Sequence, residues 1–284
     1  MPRVAVITDT DASLPLELAQ RYQIRLVPIR VNFGQESLRA VFDIDDAATF
    51  ERIRREGRIP TTAAPAPGDF LQAFEEAFAA GADEVLCFTV SSALSATYNA
   101  ALRARDMLPD KPITVVDTYN LSLGQGFMVL AAAEALAQGA SVPEAVAYAQ
   151  DVGRRTRLFA VLPTLKYLAM SGRVGHLAAG MAGLLRIMPI LTVREGQLQL
   201  LEKVRTRKRA WSRALALVQQ ALDGAQPERL AIIHIHAAAD ARAFHAALCQ
   251  HVPCPDQVLF AELTPGLSVH AGEGLVGVVF VLPA

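Results

Sequence analysis

The stretch Glu84-Val85-Leu86-Cys87-Phe88-Thr89-Val90-Ser91-Ser92-Ala93-Leu94-Ser95-Ala96-Thr97-Tyr98 sets the reading of the whole chain. Glu84–Phe88 is a short run of strand formers with no polar alternation after its first residue. Ser91, Ser92, Ser95 and Thr97 follow at once and open a helix. A strand without alternation is buried on both faces, as in a parallel sheet covered by helices. Val4–Thr8, Leu26–Val31 and Ile113–Val116 are runs of the same kind. Helix starts lie between them. Ser13-Leu14-Pro15 can cap and open one helix. Asp69-Phe70-Leu71-Gln72 begins another, with Phe70, Phe74 and Phe78 on one face before Gly81 ends it. Ser141-Val142-Pro143-Glu144 is a capping box. The alternation predicts an α/β fold with a parallel N-terminal sheet.

After about Arg155 the pattern changes. Leu158–Leu162 reads as a strand and Pro163–Met170 as a short helix. Ser171–Gly175 is a loop with two glycines, and Leu177–Ile187 is a small, apolar stretch rich in Ala and Gly. Pro189–Val193 and Leu198–Val204 flank Glu195-Gly196 as a hairpin. An Arg-rich helix follows near Arg207–Leu222. Leu230–His236, Gln257–Leu263 and Val276–Leu282 read as strands, with a helix at about Asp240–His251. A mixed α/β C-terminal domain is expected over 156–284, after an N-terminal α/β domain over 1–155.

Composition narrows the function classes. Of 284 residues, 52% are hydrophobic and 19% charged, enough to fill a core. Lys plus Arg is 27 against 28 for Asp plus Glu, so no overall charge excess points to nucleic acid. The 3 cysteines have no regular spacing, which argues against a disulfide framework and for a reducing cytoplasm. The opening MPRVAVITDT reaches an Asp too soon for a signal peptide. Apolar runs such as Gly126–Ala133 fall far short of the roughly 18 residues that span a bilayer.

Several catalytic motifs fail. Gly272-Glu273-Gly274-Leu275-Val276-Gly277 has dinucleotide-loop spacing, but a strand follows it where a helix is required. No P-loop, H-E-x-x-H pair or nucleophile elbow is present. His234 and His236 lie two apart on a predicted strand, and Cys249, His251 and Cys254 lie close in sequence. Neither set completes a tetrahedral zinc site at usual spacings, so no metal and no cofactor are expected.

Hydroxyl-bearing loops say more. Thr8, Asp9 and Thr10 end the first strand, Thr61-Thr62 precede the Asp69 helix, and Ser91–Thr97 follow the strand at Glu84. Carboxyl ends of parallel strands face one crevice, where free N–H groups and hydroxyls favour an anion. The same hydroxyls serve equally as helix caps. The second half supplies cations: Arg173 between glycine-containing turns, and His270 in what reads as a flexible loop, Ser268–Gly274. Leu201–Arg213 carries six cations against Glu202 alone, either a solvated helix face or a docking surface.

In order along the chain, these motifs resemble the DegV family of bacterial fatty-acid-binding proteins. Thr8-Asp9-Thr10-Asp11-Ala12-Ser13-Leu14-Pro15 is similar to T-D-S-x-x-D-L-P, and Thr62-Ala63-Ala64-Pro65-Ala66-Pro67-Gly68-Asp69-Phe70 to T-S-x-P-S-P-x-x-F. Ser91–Tyr98 resembles S-S-x-L-S-G-T-Y, and Val116-Asp117-Thr118 resembles V-x-D-S. Leu168–Val174 is like L-x-x-G-G-R-I, and Met188-Pro189-Ile190-Leu191 is like K-P-I-L. Val204–Lys208 matches V-R-T-R-K, and His270–Gly274 is like H-x-G-P-G. Ala63, Ala66, Ala96 and Glu273 depart from these patterns.

The resemblance implies a Rossmann-like N-terminal domain and a mixed C-terminal one, with a lipid tunnel between them. Thr62 and Ser92 would bind the carboxylate of a long-chain fatty acid. A separate fatty acid kinase subunit would form an acyl-phosphate near Arg173 and His270, so the chain would not be an enzyme by itself. Arg205 would help dock that kinase, and the charge run adds Arg207. Glu273 would repel phosphate if it pointed inward. Leu177–Ile187 could line the tunnel or pack helices closely. No nucleic acid and no stable membrane insertion are expected. A small-molecule hydrolase using Ser92 and His270 is the alternative, and a nucleic-acid-binding regulator using residues 203–213 a third reading.

Overall fold

The structure, a computed structural model, describes residues 2–173 and 187–284. In the first half the elements run β1 (Val4–Asp9), α1 (Leu16–Arg21), β2 (Arg25–Val27), β3 (Arg30–Phe33), β4 (Glu36–Arg39), α2 (Asp46–Glu56), β5 (Thr61–Ala63) and α3 (Pro67–Ala79). They continue as β6 (Glu84–Thr89), α4 (Thr97–Asp106), β7 (Ile113–Asp117), α5 (Leu123–Ala137) and α6 (Val142–Arg155). The second half holds β8 (Thr156–Val161), α7 (Lys166–Met170), β9 (Met188–Arg194), β10 (Gln197–Val204), α8 (Arg207–Leu222) and β11 (Arg229–His234). It ends with α9 (Ala238–Leu248), β12 (Leu259–Glu262), α10 (Pro265–Ala271) and β13 (Val276–Val281).

The fold is α/β. One sheet is fully parallel, in the order β2-β1-β6-β7. Its strands bury alternate residues on opposite faces. Leu86 and Phe88 pack against the α5 side, while Val85 and Cys87 pack against α3 and α4. The second sheet is mixed, in the order β10-β9-β8-β13-β11-β12. Its outer face, with Phe159, Ile232 and Phe280, packs on Ala214 and Val218 of α8 and Phe244 of α9. Its inner face, with Leu158, Ala160 and Ile233, joins the α5 core. Helix α5 is buried from Leu123 to Ala133 and touches strands of both sheets. A helix apolar all round has no solvent face, and here it forms the layer between the two sheets. Arg229 on β11 adds an ion pair to Glu134 of α5, at 2.5 Å.

The Ser141 and Glu195 readings match local geometry, while α3 begins at Pro67, two residues before Asp69, which sits in its first turn. Asp69 accepts from the Ala66 N–H at 2.8 Å and Glu144 from the Ser141 N–H at 2.8 Å. Glu195 (φ 51°) and Gly196 (φ 75°) form the left-handed turn of the β9–β10 hairpin. The strand expected after Gly272-x-Gly274 is β13.

Other expectations are corrected. Leu26–Val31 is two strands in different sheets. Pro28 has no N–H to give a ladder, and the Ile29 N–H goes instead to Thr10 Oγ1 at 3.0 Å. From there the chain makes a small antiparallel sheet, β4-β3-β5, that places Thr62 on a strand opposite Val31. Ser13 closes a 3-10 turn in the left-handed region (φ 49°), so Pro15, two residues on, precedes α1. The loop expected at Ser268–Gly274 is mostly helix: Pro265 opens α10 and Gly272 (φ 83°) ends it. Cys249 and Cys254 are joined by a disulfide just past α9, whereas the sequence argued against such bonds; Cys87 is free and buried. Of the apolar stretch Leu177–Ile187, all but Ile187 lies outside the described residues.

Candidate lipid-binding site

A cavity lies between the two main sheets, with an empty volume of about 870 Å³ including its open mouth. Val90, Leu94 and Leu121 line it from the parallel half. Leu158, Leu191, Ile233 and Leu275 line it from the mixed half. Its polar groups are few: Asp11, Thr62, Ser95, Arg173 and His270.

These groups come from five segments. Thr62 is carried by β5 and His270 by α10, and their Oγ1 and Nε2 atoms are 2.8 Å apart. Burial pushes the His270 imidazole down to about 4, with the Arg173 charge adding to the effect. His270 is therefore neutral near pH 7, which corrects the expectation of a cation there. Arg173 follows α7, and its Nη1 donates to the Ser171 carbonyl at 2.6 Å. It is the only Lys or Arg lining the cavity among the described residues. Asp11 sits in the turn after β1, and its Oδ1 has no hydrogen-bond partner. Burial and the neighbouring Asp9 charge raise its pKa well above the ordinary value, against the pull of Arg173. A Cβ on Gly266 would lie 2.1 Å from that Oδ1, so only glycine lets α10 approach so closely.

Asp9 holds the floor of the site. Its carboxylate accepts from the N–H groups of Asp11 (2.9 Å) and Val90 (2.7 Å) and from Gln125 Nε2 (3.2 Å). Burial raises its pKa to about 6 despite these donors. Two hydroxyls tie the halves together across the cavity. Thr264 Oγ1 donates to the Thr10 carbonyl at 2.9 Å, and Ser91 Oγ donates to the Gly196 carbonyl of the hairpin at 2.8 Å.

The same architecture recurs in known proteins. The family model for uncharacterised proteins of the DegV family matches residues 3–282. The chain belongs to the DegV family. Protein DegV of Bacillus subtilis is 30% identical over 278 residues, covering 97% of this chain and 98% of that one. A DegV domain-containing protein of Streptomyces coelicolor is 33% identical over 276 residues, covering 97% of each chain. A fatty-acid-binding DegV protein of Thermus thermophilus superposes with a TM-score of 0.90 at 30% identity, over 99% of this chain and 100% of that one. DegV of Bacillus subtilis, described as a fatty acid binding protein, superposes with a TM-score of 0.90 at 27% identity over 100% of both chains.

Within this DegV fold, three of the four expected lipid-site residues come together: Thr62, Arg173 and His270. Ser92 stands apart. It is exposed, its N–H faces the Asp117 carboxylate at 3.2 Å, and it is not among the cavity-lining residues. Ser95, on the same loop, takes the cavity side. The hydrolase alternative, which needs Ser92 beside His270, is not favoured. Sequence reading missed Asp11, Ser95 and Gly266 as site residues, although Asp11 lies in the quoted first motif. Glu273 accepts from Arg54 Nη1 at 2.6 Å, is 2.9 Å from His236 Nδ1, and does not line the cavity. In the basic run, Arg205, Lys208 and Arg209 are exposed. Arg207 pairs with Asp240 and lies over the Trp211 ring, and Arg213 pairs with Glu202 at 2.7 Å.

Proposed function

We propose that this chain binds a long-chain fatty acid in the cavity and presents its carboxylate to a separate kinase for acyl-phosphate formation. The observation that carries this reading is the cavity itself: apolar walls from both halves of the chain and few polar groups, among which Thr62 and His270 meet at 2.8 Å. The fatty-acid-binding descriptions of the Thermus thermophilus and Bacillus subtilis structures support it. Burying the tail at about 0.8 kcal/mol per CH₂ gives roughly 12 kcal/mol gross for a 16-carbon chain, before the costs of association. A hydrogen bond to a charged head adds only about 1.5–3 kcal/mol. The tail holds the ligand and the head contacts place it.

Thr62 and Ser95 are the proposed carboxylate partners, with Arg173 and the neutral His270 at the transfer end. Arg205 and its neighbours on the basic run are the proposed kinase contact. The cytoplasm is the proposed location, with a domain boundary at residue 155. No described helix is long and apolar enough to cross a membrane. The chain performs no phosphotransfer or hydrolysis alone in this reading. Organic extraction of purified protein followed by mass spectrometry tests the ligand class, with a long-chain fatty acid as the expected product. Added palmitate or oleate should raise the melting temperature, since ligand binds only the folded state. No acyl lipid on extraction together with no thermal shift would overturn the reading.

A further inference from the structure

On the side of α10 away from His270, a second polar cluster joins three elements. Asp46 opens α2, His236 follows β11, and Glu262 ends β12. One ligand-type atom from each, Asp46 and Glu262 oxygens and a His236 ring nitrogen, lies within 4.8 Å of the other two. His236 Nε2 is 3.2 Å from Asp46 Oδ2 and 4.0 Å from Glu262 Oε1. Two donors each about 2.1 Å from one ion stand about 3.0–3.4 Å apart, so the Asp46–His236 pair already has that spacing. The His236 N–H holds Glu262 beside this pair, donating to its Oε1 at 2.9 Å.

Two further observations point to a cation. The Asp46 side chain is only 6% exposed, and while its Oδ1 accepts from Ser268 Oγ, its Oδ2 has no hydrogen-bond donor. That buried oxygen is aimed at the equally unpartnered His236 Nε2. On the other edge of the ring, His236 Nδ1 is 2.9 Å from Glu273 Oε1, which Arg54 also contacts at 2.6 Å. A carboxylate on one imidazole nitrogen fixes the proton there and leaves the other nitrogen's lone pair free, which is how metal-bound histidines are oriented.

We propose that Asp46, His236 and Glu262 form a site for a borderline divalent cation such as Zn²⁺, with Glu273 orienting the imidazole. One nitrogen and two carboxylate oxygens suit Zn²⁺ better than Mg²⁺ or Ca²⁺, which prefer oxygen shells. The ion would clamp α2 to the ends of β11 and β12. The sequence hides this site, because its ligands lie 190 and 26 residues apart and show no zinc spacing.

The test uses tag-free, chelator-stripped protein with its Cys249–Cys254 bond intact, so that those sulfurs cannot ligate. Zn²⁺ is titrated by calorimetry and thermal shift, with Mg²⁺ as control. One Zn²⁺ per chain and a raised melting temperature are expected, with no response to Mg²⁺. His236→Gln and Glu262→Gln should each remove that binding event, and Glu273→Gln should weaken it about 10- to 100-fold. The exposed position of Glu262 keeps the test sound if His236→Gln does not fold. No stoichiometric Zn²⁺ binding, or wild-type binding by Glu262→Gln, would overturn the proposal.

Discussion

The two sides of α10 hold opposite chemistries. On the cavity side, His270 is neutral and bonded to the Thr62 hydroxyl. On the other side, Ser268 donates to Asp46 within a group of three carboxylates, one imidazole and the Arg54 guanidinium. A lipid tail lowers the local dielectric, so any unpaired charge beside it is costly. The cavity end holds hydroxyls, a neutral ring, the Arg173 guanidinium and the buried Asp11 carboxyl, whose pKa burial and Asp9 raise, and three carboxylates gather across the helix. The contrast also accounts for Glu273, whose carboxylate is engaged by Arg54 and His236 on the charged side.

The largest expected effect tests whether the cavity side needs its one guanidinium. A carboxylate that becomes an acyl-phosphate gains negative charge, and preorganised donors stabilise charge as it develops. Arg173→Ala should cut kinase-dependent acyl-phosphate formation about 10²–10³-fold. Fatty acid binding, read by thermal shift, should stay near the wild-type value. Lys at this position restores the charge but not the two-pronged geometry, so recovery should be partial. Unchanged phosphorylation of Arg173→Ala would remove the functional meaning of the contrast.

Next in size is the placement of the head group. Thr62→Ala and Ser95→Ala each remove one donor to a charged carboxylate. Fatty acid affinity should fall by about 1.5–3 kcal/mol, roughly ten- to a hundredfold, and measurable binding should persist through the tail. Ser92→Ala serves as the comparison. Its side chain belongs to an exposed residue outside the cavity lining, so affinity should change little. A larger loss for Ser92→Ala than for Ser95→Ala would return the role to Ser92.

How far the sequence reaches differs between these regions for physical reasons. The parallel sheet is readable because β1 and β6 are apolar on both faces, and the hairpin because Glu195-Gly196 is a turn pair. The small sheet is not readable: β3, β4 and β5 have three or four residues each, too few to show a period. Helix α2 buries only Asp46, Thr49 and Phe50, so its apolar stripe is faint, although Asp45 caps it and Gly57 ends it. For α10 the signals are present, with Pro265 at its first position and Gly272 past its end, but the nearby glycines favour a loop reading. Within the site, family motifs single out Thr62, Arg173 and His270. They do not separate Ser92 from Ser95, because which hydroxyl faces the cavity depends on a three-residue turn of the loop. The neutrality of His270 arises chiefly from burial, which no sequence motif encodes.

A pH measurement sharpens the neutral side of the contrast. The His270 pKa is about 4 when folded and about 6.5 when unfolded, so between these values the unfolded chain binds the extra proton. This contribution to stability is complete above pH 6.5 and is lost as pH falls towards 4. The full shift corresponds to about 3 kcal/mol, and partial exposure of the ring reduces it to about 2 kcal/mol. Asp9 and Asp46 have raised pKa values and act in the opposite direction. The informative quantity is therefore the wild-type stability curve minus that of His270→Gln, measured by urea unfolding at each pH. A difference that does not change between pH 7 and pH 4.5 would show that His270 has the same pKa folded and unfolded and takes up its proton in the fold over that range.

The smallest expected effect concerns the basic run that leads into α8. Arg205 is exposed, and no ion pair among the described residues involves it. Arg207 is held by Asp240 and by the Trp211 ring. A long-range field speeds encounter with an acidic partner, but contact docking favours a cation that can leave its own surface at little cost. Arg205→Ala should therefore slow association with the kinase a few-fold at low salt. The difference should vanish near 1 M salt, where the screening length falls to about 3 Å. Arg207→Ala removes the same formal charge, so it should weaken the field equally, while costing at most about 1 kcal/mol of stability through the lost surface pair. Stopped-flow association over a salt series, with lipid affinity measured in parallel, separates the two. Equal slowing by both variants would mean that only the field matters. A greater effect of Arg207→Ala would place the docking surface on the outer face of α8 and not at its entry.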